Sequence, residues 1–129
     1  MYLTPEQNAR RFEILGIEIP KTWFGGVNEF TSMTAEMGRK LITEGLMDPE
    51  SSQNYSPTNE EFVQFMEANH EFVAHGYVVS PERSDVRVSI EGVRSGAYPD
   101  RDSILRFVEM FRFADEFDID DDGMYCWFD

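Results

Sequence analysis

The chain has 129 residues, a formal net charge of −14 at pH 7 and a single cysteine. This length predicts one domain spanning residues 1–129, with enough apolar side chains to bury a core. One cysteine excludes an internal disulfide, and no apolar run reaches the roughly 20 residues of a membrane-spanning helix. Because no secretory leader follows Met1, we expect a cytoplasmic protein.

The negative charge is unevenly distributed along the chain. Residues 41–82 contain eight Asp and Glu residues and no Lys or Arg. A field of this sign repels nucleic acid and anionic membranes and attracts cations or basic proteins. In the second half, Arg residues alternate with acids, which indicates ion pairs and not a nucleic-acid-binding patch. The negative charge can be explained by solubility alone, without any partner. The functional explanation is that the protein binds a basic protein partner.

Two helices are predicted in the first third of the chain. The first begins after Thr4, where Gln7 can complete a capping box, and ends at Gly16. The second begins at Thr31 and ends near Gly45, with an apolar stripe at four-residue spacing. That stripe consists of Met33, Met37 and Leu41. Between the two helices, Trp23 and Phe24 are expected in a turn, anchored in the core by their area.

The middle of the chain predicts a loop and a third helix. Residues 48–56 are polar and rich in turn-forming residues, so we expect a mobile loop there. A capping box at Thr58 and Glu61 begins the third helix. Apolar residues then recur at helical spacing as far as Val73, and Gly76 is expected to end this helix.

Strands are predicted mainly in the second half. Alternation between apolar and polar residues predicts a β-hairpin over residues 77–93, one face of which is exposed to solvent. A helix capped by Asp100 or Asp102 follows, and residues 124–128 form a last strand. A right-handed crossover is expected to return this strand to the sheet of the hairpin. Both of its faces are apolar or aromatic, which indicates cover by helices on one side and by the N-terminal elements or a partner on the other.

Together these elements predict the α+β class. We expect a small mixed or antiparallel sheet of three to four strands, made by the hairpin of residues 77–93 and the strand 124–128, packed with about four helices.

The segment Asp118–Gly123 matches the D-x-D-x-D-G pattern of calcium loops. In this respect it resembles the first half of an EF-hand loop, or the related loops of dockerin-like modules, over 12 of the 129 residues. The resemblance implies a Ca²⁺ or Mg²⁺ site, with ligands at the following positions: Asp118, Asp120, Asp122 and Asp129. Asp129 replaces the longer Glu of that family, and the chain provides no exiting helix. A solvated acidic turn is the alternative interpretation.

Catalytic signals are sparse. His70 and His75 are five residues apart, so a zinc-binding pair on one helical face is excluded. We interpret Glu67 with His70, and Glu71 with His75, as pairs on a helix surface. An enzyme would require a cleft that combines one of these four residues with a carboxylate of perturbed pKa. Cys126 lies in the apolar last strand and is expected to be buried and unreactive.

The leading functional hypothesis is therefore a non-enzymatic protein–protein interaction or regulatory module, without a cofactor and without direct nucleic-acid binding. One alternative is an inhibitor of a DNA-binding protein that mimics nucleic acid. Mimicry requires one continuous stripe of carboxylates, formed here by Glu60, Glu61, Glu67 and Glu71 together with Asp115–Asp122. The other alternative is a divalent-cation-binding protein using the Asp118–Asp129 loop.

Overall fold

In the computed structural model, which describes residues 2–96 and 99–129, four helices pack on one five-stranded antiparallel sheet. The helices are α1 (Pro5–Leu15), α2 (Ala35–Thr43), α3 (Asn59–Ala68) and α4 (Arg101–Phe111). The strands are β1 (Val27–Met33), β2 (Phe72–Val79), β3 (Val88–Ser95), β4 (Glu116–Asp120) and β5 (Gly123–Trp127), in the spatial order β1-β2-β3-β5-β4. The predicted α+β class is confirmed, whereas the prediction of three to four strands is wrong by at least one.

The helices begin where short-range capping predicts. Thr4 and Thr58 each accept a hydrogen bond from the backbone of the third helical residue, and each capping box is complete. The cap of α2 is Thr34, not Thr31. Met33 consequently ends β1 and does not belong to the stripe of the second helix, which corrects the predicted start by three residues.

Strand β1 has no counterpart in the sequence prediction. It pairs antiparallel with β2, and its register is interrupted by a bulge between Phe30 and Met33. Only these two residues of the strand are buried. The bulge and the polar residues at Thr31 and Ser32 break the alternation that normally reveals a strand.

The third helix is shorter than predicted. Helix α3 ends at Ala68, and Asn69 leaves the helical conformation with its side-chain amide donating to the Phe65 carbonyl at 2.9 Å. Residues from Phe72 onward form the central strand β2. The prediction failed because aromatic and β-branched residues suit either structure, and pairing with β1 and β3 decides between them. His75 is therefore a strand residue.

The acidic segment after α4 is a strand. Glu116–Asp120 pairs antiparallel with Gly123–Trp127, and the chain reverses at Asp121 and Asp122. Strand β5 enters the sheet antiparallel to β3, so the predicted crossover is wrong even though the strand joins the expected sheet. Phe117 and Ile119 alternate with acidic residues, but this short pattern did not predict a strand by itself. Residues Glu116–Asp120 form β4 because they pair with β5.

All four helices contribute to one core with the inward-facing strand residues. Its centre is aromatic: Phe107 stacks on Phe72 and on Phe117, and Phe65 contacts Phe111 edge-to-face. Trp23 packs edge-to-face on Phe12, as expected of an anchored residue. Phe24 does not, because its side chain is 82% exposed.

The loop of residues 48–56 is tied to the start of α3 at one end. The amides of Asn59 and Glu60 donate to the carbonyls of Ser51 and Pro49, both at 2.9 Å, while Tyr55 is fully exposed. Mobility of this loop stays a prediction, as does the single-domain boundary. Within the described ranges, no helix combines the length and apolar character needed to cross a membrane.

Candidate functional site: the open face of the sheet

The sheet surface that points away from the helices carries a dense group of aromatic and ionisable side chains. Because side chains alternate along a strand, the neighbours of the core residues Ala74, Val93 and Cys126 point to this opposite surface. We call it the open face. Its residues are Glu29 (β1), His75 and Tyr77 (β2), Ser89, Glu91 and Arg94 (β3), Glu116 and Asp118 (β4), and Tyr125 and Trp127 (β5).

His75 lies at the centre of the open face and is only 6% exposed. Its ring stacks on Tyr125 with 5.2 Å between centroids and meets Trp127 edge-on at 5.7 Å. Its Nε2 atom is 2.9 Å from the carbonyl oxygen of Cys126. Burial of the ring lowers the pKa of His75, since the charged imidazolium loses hydration there.

Gly92 makes this position of the His75 ring possible. A Cβ atom on Gly92 would lie 2.0 Å from the Cys126 carbonyl oxygen and 2.6 Å from the nearest ring atom of His75. Without that atom, the imidazole spans β3 and reaches β5. The hydrogen bond from His75 gives the carbonyl oxygen of Cys126 a donor, and a buried carbonyl without a donor would be destabilising.

Glu91 is an unusual residue for a strand interior. His75 pairs with Gly92 and Gly76 pairs with Ile90, so Glu91 is the extra residue of a β-bulge. Its side chain is 6% exposed, and its Oε2 atom is buried with no hydrogen-bond donor among the described residues. Burial raises the pKa of Glu91. The neighbouring Ser89 hydroxyl and, to a smaller extent, the charge of Arg87 oppose that shift of the pKa, while Nη1 of Arg87 donates to Asp85 at 2.8 Å.

These groups line a narrow crevice that has no room for a water molecule. Its lining residues are Glu29, His75, Gly76, Tyr77, Glu91 and Trp127. Burial raises the pKa of Tyr77, and the charges of Glu29, Glu91 and Asp129 add to the effect. Typical ligand pockets measure roughly 300–1,000 Å³. The crevice is therefore too narrow to be a ligand pocket, and its carboxylates and aromatic rings give this part of the open face an acidic and aromatic surface.

The predicted metal ligands are only partly brought together. Asp118, Asp120 and Asp122 share one end of the β4–β5 hairpin, where the Asp122 amide donates to Oδ1 of Asp120 at 2.8 Å. Asp129 follows the opposite end of β5, and its amide donates to Asp115 at 2.8 Å. Across the described residues, no group of three or more His, Cys, Asp or Glu side chains is arranged to hold a metal ion.

The four candidate catalytic residues are separated. Glu67 forms an ion pair with Arg39 at 2.7 Å, and His70 and Glu71 are exposed in the turn before β2. The proposed helical pair of Glu71 and His75 is wrong, because His75 lies in a strand. His75 alone shares a crevice with a perturbed carboxylate, Glu91. Cys126 is fully buried, and burial raises the pKa of its thiol to about 12.

The acids proposed as a phosphate-like stripe lie in two layers. Glu60 and Glu67 belong to α3 and both pair with Arg39 of α2. Asp118 projects to the open face, opposite to its neighbour Phe117, which packs on α4. The sheet thus separates Glu60 and Glu67 from Asp118.

Fold and site define a two-layer α+β domain whose uncovered sheet surface is aromatic and acidic. Comparison with protein-family models, curated proteins and solved structures finds no significant match for this chain. Sequence reasoning missed Glu29, Glu91 and the true setting of His75. Two signals pointed toward them: the polar alternation of β3 and the apolar character of both faces of β5.

Proposed function

We propose that this protein is a non-enzymatic interaction module that binds a basic segment of a partner protein on its open face. The observation that carries this proposal is the grouping of three half-buried aromatic residues with four acids on one uncovered sheet surface. The aromatic residues are Tyr77, Tyr125 and Trp127, and the acids are Glu29, Glu91, Glu116 and Asp118. Aromatic residues at interfaces supply large contact area at low cost in side-chain entropy.

The state of the acids favours a basic partner. On the helical side, Arg39 pairs with Glu60 and Glu67, and Arg10 pairs with Glu44. Within the described ranges, no ion pair involves any of the four acids of the open face. Unpaired carboxylates beside aromatic rings complement Lys and Arg side chains by charge and by cation–π contact.

Binding is better supported than catalysis. The crevice beside His75 is small, and the Nε2 atom of His75 is already bonded to a backbone carbonyl. Cys126 faces the core, so its thiol is not available as a nucleophile. The location of Glu60 and Glu67 on the helices and of Asp118 on the open face also favours the basic-partner proposal over mimicry, which requires one continuous stripe of carboxylates.

The test compares two charge-reversed variants in affinity purification from the source organism, with quantitative mass spectrometry. Glu29→Lys with Glu116→Lys reverses charge on the open face. Glu36→Lys with Glu109→Lys makes the same change in net charge on the helices. We expect proteins with basic segments to be retained by the wild type and the helical variant and lost by the open-face variant. Identical protein sets for both variants would contradict the proposal.

A further inference from the structure

We infer that β4, the strand at one edge of the sheet, binds an extended basic segment of the partner as an added antiparallel strand. This inference rests on the proposed function, since it specifies how the open face holds its basic partner. When a strand is added to a sheet edge, backbone hydrogen bonds provide affinity and alternating side chains provide specificity. The strand Glu116–Asp120 has the backbone groups and the side-chain pattern for both.

The outer edge of β4 carries backbone groups that are free to pair. In the spatial order β1-β2-β3-β5-β4 this strand is the last, and it pairs only with β5. The hairpin closes with Asp120 opposite Gly123, and hydrogen-bonded pairs recur at every second residue from there. The N–H and C=O groups of Phe117 and Ile119 therefore point outward. Among the described residues, no other backbone group bonds to them.

The opposite edge of the sheet, strand β1, is less suited to pairing. Its register shifts between Phe30 and Met33, and such a bulge interrupts the row of backbone groups along an edge. Arg94 also donates to the Thr31 carbonyl at 3.0 Å and to the Ser32 hydroxyl at 2.9 Å. The register of β4 is continuous over all five of its residues. Of the two edges, β4 therefore has the uninterrupted row of outward groups.

The side chains of β4 determine which charge the added strand must carry. Three acids alternate with Phe117 and Ile119, so the acids project to the open face. They are Glu116, Asp118 and Asp120, and within the described ranges none of them belongs to an ion pair. Side chains directly opposite on paired strands lie roughly 4.5–5.5 Å apart, which favours opposite charges and disfavours like charges. A second copy of β4 would place acid against acid, whereas Lys or Arg at alternate positions would pair with the acids.

The apolar side of β4 also lacks a neighbour. Ile119 is 36% exposed, although it points to the same side of the sheet as Phe117, which stacks on Phe107. The apolar row on the helical side of the sheet thus ends at an uncovered residue. Apolar residues that alternate with the basic residues of the partner would extend this row and remove Ile119 from water.

The experiment titrates ¹⁵N-labelled protein with the blocked heptapeptide Lys-Val-Lys-Val-Lys-Val-Lys. The control peptide, Lys-Lys-Val-Val-Val-Lys-Lys, has the same charge and composition but lacks the alternation. We expect saturable shifts and slowed hydrogen exchange of the Phe117 and Ile119 amides with the alternating peptide, and several-fold weaker binding of the control. The amides of β1 should stay unchanged, because β1 lies at the other edge of the sheet.

Backbone methylation of the peptide distinguishes strand addition from charge attraction. In an antiparallel pair with β4, the valine N–H groups point to β4 and the lysine N–H groups point to solvent. N-methylation of the three valines removes the bonds to β4 and should weaken binding by about tenfold or more. N-methylation of three lysines leaves charge and size matched and should be tolerated. This comparison uses the wild-type protein, so it does not depend on the folding of any variant.

Two substitutions of Ile119 test the same edge from the protein side. Ile119→Pro removes an outward N–H and no bond of the β4–β5 hairpin, and edge strands tolerate proline at such positions. Ile119→Val keeps the N–H group and a branched side chain. We expect Ile119→Pro to lose most of its affinity for the alternating peptide and Ile119→Val to bind it like the wild type. The dispersion of each variant's spectrum shows that it is folded.

Several results would overturn the inference. They are equal affinity for the alternating and control peptides, equal effects of the two methylation patterns, or wild-type affinity in folded Ile119→Pro. The proposed function fails separately. If the open-face reversal abolishes partner capture while the alternating peptide does not bind, the interaction surface stands and strand addition is wrong. If the peptide binds as expected but capture is unchanged by the reversal, the edge site stands and the proposed function is wrong.

Discussion

The imidazole of His75 in β2 bonds to the carbonyl of Cys126 in β5 across the whole width of the intervening strand β3, with 2.9 Å between Nε2 and oxygen. A carbonyl only accepts hydrogen bonds, so Nε2 carries the proton in this arrangement. The paired registers between β3 and β5 cover only Arg94 and Ser95. The His75–Cys126 bond and the bond from the Phe128 amide to the Glu91 carbonyl, at 2.8 Å, therefore extend the attachment of the C-terminal hairpin.

Substitution of Gly92 by alanine tests this arrangement. The new Cβ atom would meet the Cys126 carbonyl oxygen at 2.0 Å and the His75 ring at 2.6 Å, and the former is backbone that cannot rotate away. We expect Gly92→Ala to lower the free energy of unfolding by about 2–3 kcal/mol, measured by urea denaturation. Gly96→Ala is the control, because an added Cβ there meets no atom of the described residues within 4 Å. Equal stability of the two variants would contradict the proposed role of Gly92.

A second prediction concerns the pH dependence of stability and follows from the pKa of His75. Burial lowers this pKa below the ordinary value of 6.5, so below pH 6.5 the unfolded chain binds a proton more readily than the fold. The contribution of neutral His75 to stability is therefore complete above about pH 6.5 and is lost as pH falls toward the folded pKa. The contribution of Glu91 to the pH dependence of stability has the opposite sign. Because its pKa is raised in the folded protein, protonation of Glu91 adds stability as pH falls from neutrality.

His75→Phe isolates the contribution of His75. The variant keeps an aromatic ring but leaves the Cys126 carbonyl without its donor, so we expect a loss of about 1–3 kcal/mol at pH 7.5. This deficit should shrink at pH 5, measured by urea midpoints in a Glu91→Gln background that removes the opposing titration. His70→Phe changes an exposed histidine and serves as the control. A deficit that does not depend on pH would show that His75 does not titrate in this range.

The thiol of Cys126 provides a third prediction. The side chain is fully buried, and burial raises its pKa to about 12. Because the thiolate is the reactive form, we expect native protein to resist iodoacetamide at pH 8 and to react at once in denaturing urea. Mass spectrometry of timed samples measures the modification. Rapid modification of the native protein would indicate that β5 opens readily from the sheet.

The acidic end of the β4–β5 hairpin gives a fourth prediction. Asp120 is already bonded to the Asp122 amide, and Asp129 lies at the other end of β5. We therefore expect millimolar calcium to raise the melting temperature no more than sodium chloride of matched ionic strength, through screening alone. Asp120→Asn with Asp122→Asn should be neutral or slightly stabilising, because repulsion is relieved. A calcium-specific rise that this double variant abolishes would instead support the cation-binding hypothesis.

Sequence alone determined the features that depend on neighbouring residues. The capping boxes of Thr4 and Thr58 are local hydrogen bonds, so both helix starts were predictable. The alternation around Val88 and Ile90 likewise revealed a strand with one polar face, but the predicted solvent exposure of that face is wrong at Ser89 and Glu91, which are both buried. The burial of Cys126 followed from its apolar neighbours. These local patterns were sufficient for the α+β class and for several of the core residues.

Tertiary structure decided the rest, because strand pairing joins residues far apart in sequence. Strands β1 and β4 carry weak local signals and become recognisable only through their partners β2 and β5. His75 looked like a helix residue until pairing placed it in the sheet. The candidate site depends on a bulge at Glu91, a missing side chain at Gly92 and the arrival of Trp127 beside them. Two strands far apart in sequence, β3 and β5, contribute these features, and no spacing along the chain encodes their contact.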